Sequence, residues 1–192
     1  MNYLETIKQY HPFNEQEKVD QQFMIRFLSE QSDALTRDNG IAHLTVSAWI
    51  LNQQHNRVLM AYHNIYNSWS WTGGHADGDQ DLLAIAIREA QEETGIKTIK
   101  PLIPNLFSLE ILCVDGHIKH GRYVGSHLHL NVTYLLEAND EEPLTVKPDE
   151  NKQVGWFSLE EALSAPNEVW MVNMVYCKLM KKVEQYLIDG II

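Results

Sequence analysis

The residues best suited to chemistry lie in two short stretches. Gly74-His-Ala-Asp-Gly-Asp-Gln80 is followed, seven residues later, by Arg88-Glu89-Ala90-Gln91-Glu92-Glu93-Thr94-Gly95-Ile96. A helix over about residues 80–94, wound at about 100° per residue, gathers Leu83, Ala86, Ile87, Ala90 and Thr94 on one arc. Glu89, Glu92 and Glu93 fall on the opposite arc, which is expected to face away from the body. Three carboxylates within one turn repel one another. Divalent cations offset that repulsion, and a hard oxygen set selects Mg2+ or Mn2+. Gly95 is placed to end the helix in a left-handed cap. The Gly73-Gly74 pair lets backbone approach the same acids closely.

A second cluster is built from imidazole. His127 and His129 are two apart in SHLHLNVTYLLEA, so both point to one strand face, with Asn131 and Thr133. His43 lies on the polar face of another strand, IAHLTVSAWIL, and His75 follows the glycine pair. If the two polar faces meet, four imidazoles converge. They then hold a transition metal, which imidazole suits better than it suits magnesium, or they line a polar pocket without metal. Trp69, Trp71, Tyr66 and Tyr123 are candidates to stack on a base or ring, or belong to the core. His117 and His120 sit in a glycine-bearing turn and read as solvated.

The elements that must position these groups follow from periodicity. Residues 1–40 read as a polar helical extension, with Val19, Phe23, Phe27 and Leu28 as its docking face. Residues 41–192 read as the main domain. A strand at 41–51 alternates Ala42, Leu44, Val46, Ala48 and Ile50 against His43, Thr45, Ser47 and Trp49. A hairpin over 52–56 returns as a strand at 57–63. NSWSWTGGHADGD reads as a glycine-bearing loop, and short strands occupy about 99–137. An acidic loop spans 138–152, ahead of a strand at 154–157. Ser158-Leu-Glu-Glu161 has a capping-box pattern. A terminal amphipathic helix spans 168–187, with Val172, Val175, Leu179, Val183 and Tyr186 on its buried side. The expected class is α/β, a mixed sheet between helical layers.

Composition limits the partners. The chain has 192 residues, and its net charge of −11 argues against nonspecific binding to nucleic acid or an anionic membrane. No apolar run reaches the length of a membrane helix, and the N-terminus does not read as a secretory signal. Cys113 and Cys177 form neither a disulfide framework nor a metal spacing, which fits a reducing cytoplasm. The amphipathic terminal helices could pack in cis or seam a homodimer.

The acidic motif resembles the Nudix hydrolase signature G-x5-E-x7-R-E-U-x-E-E-x-G-U, where U is a bulky apolar residue. From Arg88 to Ile96 every fixed position is met, except that Ala90 is small. Gln80 stands where the signature has Glu, flanked by Asp77, Asp79 and Asp81. The resemblance implies a Nudix-type α/β/α sandwich. It also implies cleavage of a diphosphate linkage in a small-molecule nucleoside diphosphate derivative. Mg2+ or Mn2+ would be held by Glu89, Glu92 and Glu93 with the Gly73 carbonyl, and by Glu150 from the later acidic loop. Arg88 would orient the glutamates, and Glu92, Glu93 or Glu150 would act as general base. Loss of the Glu at position 80 allows an alternative, a catalytically weak ligand-binding or sensor module. A weaker similarity to isopentenyl-diphosphate isomerase, built on the same fold, places His43 and His75 at that enzyme's metal site. His127 and His129 stand where it has carboxylates, and its reactive cysteine has no counterpart near Gly73.

Overall fold

The computed structural model describes residues 2–119 and 121–192; His120 lies outside them. Two helices, α1 (Tyr3–Gln9) and α2 (Glu15–Glu30), precede the sheet. Each starts on an asparagine. Asn2 accepts from the Leu4 N–H, and Asn14 accepts from the Glu17 N–H, which satisfies donors a helix start leaves open.

The main sheet has eight strands. Its path runs β10 (Asn151–Ser158), β2 (Arg57–His63), β1 (Ala42–Asn52), β9 (His127–Ala138), β5 (Ile99–Pro101). β1 and β9 are parallel and in register along their full length, His43 opposite His129 and Ser47 opposite Thr133. The other pairings are antiparallel, so the sheet is mixed. β2 pairs only with the far end of β1, at Ile50 and Leu51. That leaves the edge of β1 open at Thr45–Ala48, and β4 (Thr72–His75) fills it. β3 (Ser68–Ser70) pairs β2, and β6 (Ser108–Val114) pairs β9. The stretch expected to be a glycine loop is therefore largely strand. Its Gly, Ser and Trp content gives little strand signal, and the ladder comes from the vacancy along β1. A small hairpin, β7 (His117–Lys119) and β8 (Arg122–Val124), stands apart.

Both faces of β1 are buried along all eleven residues. Ala42, Leu44, Val46, Ala48 and Ile50 share a core with Ile7, Met24 and Leu28 of α1 and α2. Leu82, Ile85, Ala86 and Ala90 of α3 (Leu82–Thr94) join the same core. On the other face Trp49 and Leu51 join Trp71, Phe107, Leu135, Tyr176, Leu179 and Val183. The last three lie at the end of a π-helical turn (Met171–Tyr176) and in the helix that continues it, α5 (Cys177–Ile188). The short helix α4 (Glu161–Ser164) opens on the expected box. The Ser158 N–H donates to Glu161 Oε2, and the Glu161 N–H donates to Ser158 Oγ.

α2 is rotated from the face its apolar residues suggested. Val19 is 55% exposed, Phe23 and Phe27 stack on each other partly buried, and the inward stripe is Glu17, Gln21, Met24 and Leu28. The rotation takes a charge inside. Glu17 meets Lys178 Nζ at 3.2 Å and Lys182 Nζ at 3.3 Å, all three essentially buried. Tyr10 and Ser108 hydroxyls and the Phe13 N–H also donate to Glu17. Lys178 reaches Glu110 at 3.0 Å, and Asn131 Nδ2 donates to Glu110. Thr45 and Ser47 donate to Asn131 Oδ1. A polar chain thus crosses the interior from α2 and α5 to β1.

Burial alone would raise the Glu17 carboxyl; the Lys182 and Lys178 ammoniums outweigh it and hold the group below 4.5. A carboxylate depressed on folding stabilises the fold above its unfolded value, and that contribution disappears as pH falls through the folded value. Glu17→Gln leaves two buried ammoniums short of a counter-charge. The expected loss is about 3–5 kcal/mol in urea unfolding near neutral pH. The difference from wild type should shrink as both proteins are acidified below pH 4.5. A loss that stayed constant down the acid limb would assign the effect to packing instead.

Candidate functional site

The acidic helix is placed by its two ends. Asp81 Oδ1 accepts from the Ala84 N–H at the start, and Gly95 closes the other end at φ 74°, the left-handed cap expected from its position. Its apolar side packs on the sheet, which turns the opposite arc toward β4 and the loop before β10.

That arc is not uniformly solvated. Glu93 is 4% exposed, Glu89 is half-buried and Glu92 faces water. Glu93 turns inward because β4 offers it a donor: the Gly73 N–H bonds Glu93 Oε1 at 2.8 Å. Asn151 Nδ2, at the start of β10, donates to the Glu93 carbonyl and ties that strand to the same turn. Desolvation pushes the Glu93 carboxyl up to about 8; the Gly73 N–H opposes this, while Glu150 and Glu89 add to it. Glu89 is also raised, by burial and by Glu92. Burial disfavours the charged form of both groups, and a nearby cation would favour it.

Gly74 is where the site needs a missing side chain. A Cβ there would lie 2.5 Å from Glu89 Cδ and 2.6 Å from Oε2. The Glu89 carboxylate therefore rests directly on the backbone of β4. Arg88 Nη2 lies 3.7 Å from Glu89, and Arg88 Nη1 lies 3.4 Å from Asp79. Asp79, adjacent to Gln80, thus supplies a carboxylate partner to this arginine. Gln80 itself is exposed.

Glu150 joins the group through a residue that spacing did not reveal. Lys147 Nζ lies 3.0 Å from Glu92 Oε2 and 3.2 Å from Glu150 Oε1. Burial opposes its charge, but the bonds to Glu92 and Glu150 outweigh that and raise its pKa. An ammonium bridging two carboxylates marks where the acid set accepts positive charge. The only signal in the sequence was a lysine set among the acids of that loop. The donors present are carboxylate oxygens around a close-approach glycine, which suits a hard divalent ion.

On the other face of β4 the imidazoles converge as the strand faces required. Ring centroids of His43 lie 5.1 Å from His75, 4.9 Å from His127 and 5.1 Å from His129. The aromatic candidates separate. Trp71 is 8% exposed and meets Tyr176 edge-on, so it serves the core rather than a ligand. Trp69 is partly buried between Tyr62 and Phe157. Tyr66 is exposed and rests against His63, and Tyr123 is exposed on the separate hairpin. A large open groove of about 1020 Å³ lies elsewhere, between α1 and the start of α3, lined by Lys8, Tyr10, Gln80 and Tyr134 among others.

Residues 41–176 match the NUDIX domain. The chain is 30% identical over 116 residues to an RNA pyrophosphohydrolase of Pelagibacter ubique (strain HTCC1062), covering 58% of this chain and 73% of that protein. It is 28% identical over 106 residues to the asymmetrical bis(5'-nucleosyl)-tetraphosphatase of Rattus norvegicus, covering 55% and 65%. Among solved structures, a NUDIX-family hydrolase from Clostridium perfringens superposes with a TM-score of 0.51 at 21% identity, covering 74% of this chain and 97% of that one. The chain belongs to the Nudix family of pyrophosphohydrolases.

Two substitutions test the geometry of the acids. Gly74→Ala should displace Glu89 and weaken Mn2+ binding at least about tenfold. Its thermal midpoint should change little, because the clash is with the end of a flexible side chain. Lys147→Met should tighten Mn2+ binding, since it removes a competing cation. Calorimetric titration reads both, and unchanged affinity in both variants would place the binding site elsewhere.

Proposed function

We propose that this protein hydrolyses a diphosphate linkage in a small nucleoside diphosphate derivative, with Mg2+ or Mn2+ bound by Glu89, Glu92, Glu93 and Glu150. The observation that carries the reading is Glu89 and Glu93 seated against β4, with Glu92 and Glu150 joined beside them through Lys147. The names of the two curated relatives, an RNA pyrophosphohydrolase and a bis(5'-nucleosyl)-tetraphosphatase, point to the same bond class.

The residues divide the work by exposure. Glu93, buried and held by the Gly73 N–H, and Glu89, packed on Gly74, are fixed groups suited to ligation. Glu92 and Glu150 lie at the wet edge, and either can take the proton from the attacking water. The water oxygen bonds to phosphorus as the bridging P–O bond breaks, and the leaving phosphate departs with the bridging oxygen. A bound divalent ion would neutralise the phosphate oxygens and lower the pKa of that water. Arg88, between Asp79 and Glu89, positions the acids rather than the substrate. The Lys147 ammonium is placed to exchange its carboxylate partners for a substrate phosphate once a divalent ion occupies them.

The test is a hydrolysis screen with Mg2+ and with Mn2+. Substrates are dinucleoside polyphosphates, ADP-ribose, NADH, nucleotide sugars, nucleoside triphosphates and 5'-triphosphate RNA. Turnover of at least one is expected, falling about 100-fold or more in Glu92→Gln. Tight nucleotide binding without turnover of any substrate would overturn the hydrolase reading in favour of a ligand-binding module, the role that Gln80 allows.

A further inference from the structure

We propose that His43, His75, His127 and His129 form a second metal site, selective for a borderline divalent ion of the zinc class and separate from the carboxylate site. The four imidazoles come from three neighbouring strands: His43 from β1, His75 from β4, and His127 and His129 from β9. One ring nitrogen from each of His43, His75 and His129 lies within 4.8 Å of the others. His127 Nε2 stands 3.2 Å from His129 Nε2. Two nitrogens on a tetrahedral zinc, each at about 2.0–2.1 Å, are about 3.3 Å apart. This pair is already at ligand spacing.

The orientation of two of the rings supports the assignment. The Nδ1–H of His43 donates to the Asn39 carbonyl, and the Nδ1–H of His127 donates to the Gly125 carbonyl. A backbone acceptor on Nδ1 fixes the tautomer and leaves the Nε2 lone pair for a metal. His43 is 4% exposed, yet its Nε2 has no hydrogen-bond partner. A buried polar nitrogen without a partner costs free energy, and it faces the other imidazoles. Burial also keeps His43 and His129 neutral.

Position in the fold distinguishes this site from the acids. Strand alternation points Gly74 at Glu89 and His75 to the opposite face. Imidazole nitrogen prefers zinc, cobalt or nickel, and carboxylate oxygen prefers magnesium or manganese, so the two sites sort different ions. A metal here would clip β4 to β1 and β9 at the end that carries Gly73 and Gly74. It goes beyond the hydrolase reading and does not depend on it.

The experiment uses tag-free, full-length protein stripped of metal by a chelator and titrated with Co2+, then Zn2+. The wild type should bind one Co2+ with the intense visible bands of four-coordinate nitrogen ligation. Zn2+ should bleach them and raise the thermal midpoint. His127→Ala, at the rim, should weaken Co2+ binding about tenfold, and His129→Ala about 100-fold or more. Glu89→Gln/Glu92→Gln should leave the bands unchanged. Absence of the bands in wild type overturns the proposal without needing any variant to fold. Bands kept in both histidine variants, or lost in the glutamate variant, overturn it as well. Hydrolysis with Mg2+ is measured alongside, so failure here is separable from failure of the hydrolase reading.

Discussion

The pairing of Thr72–His75 with Thr45–Ala48 is the contact on which the site depends. It exists because β2 leaves β1 after Ile50 and Leu51, and the exposed edge must be satisfied by another strand. β4 is only four residues long and carries two glycines, so little in its own composition favours a strand. Once seated, its alternation works on both sides of the sheet. The Gly73 N–H holds Glu93, Gly74 makes room for Glu89, and His75 joins the imidazoles. Register matters more than stability here. A slip of one residue would turn His75 toward the helix and bring a side chain against Glu89.

The buried polar chain explains why that register holds. Ser47, opposite Gly73, donates to Asn131, which donates to Glu110. Glu110 pairs with Lys178, and Lys178 pairs with Glu17. The chain therefore runs from the strand that seats β4 to helices α2 and α5. A dry apolar interior of the same volume could be as stable, because desolvating two acids and two lysines offsets much of their attraction. Directional bonds, unlike apolar contacts, accept one alignment of β1, β9, α2 and α5. We assign specificity of packing rather than net stability to this network.

Much of the site was legible in the sequence because its motif sits on one helix, where spacing converts directly to geometry. Arg88, Glu89, Glu92 and Glu93 follow from a period of about 3.6 residues, and Gly95 caps where expected. The histidine cluster was legible for a related reason: alternation on β1 and β9 fixed both faces, and one parallel pairing brought them together. What failed needed knowledge of partners. Glu93 reads as solvated until β4 supplies an N–H. β3 and β4 read as loop until β1 exposes an edge. α2 seemed to dock through Val19, because nothing local shows that Glu17 has two lysines waiting more than 160 positions away. Lys147 was hidden in the same way, as a basic residue whose meaning depends on where its loop lands.

The two clusters differ in how they can tolerate an empty state. The acids have an internal substitute, since Lys147 bridges Glu92 and Glu150 and relieves part of their repulsion. The acid set is therefore partly neutralised without an ion. The imidazoles need no counter-charge when neutral, so their empty state costs little electrostatically. Its cost lies instead in the unsatisfied Nε2 of His43. A Lewis acid at Nε2 would remove that penalty, and desolvation together with Arg37 and the neighbouring imidazoles disfavours a proton there. The proposed hard-ion site on one face and the proposed borderline-ion site on the other would share one short strand, because its alternating residues face two environments of opposite chemistry.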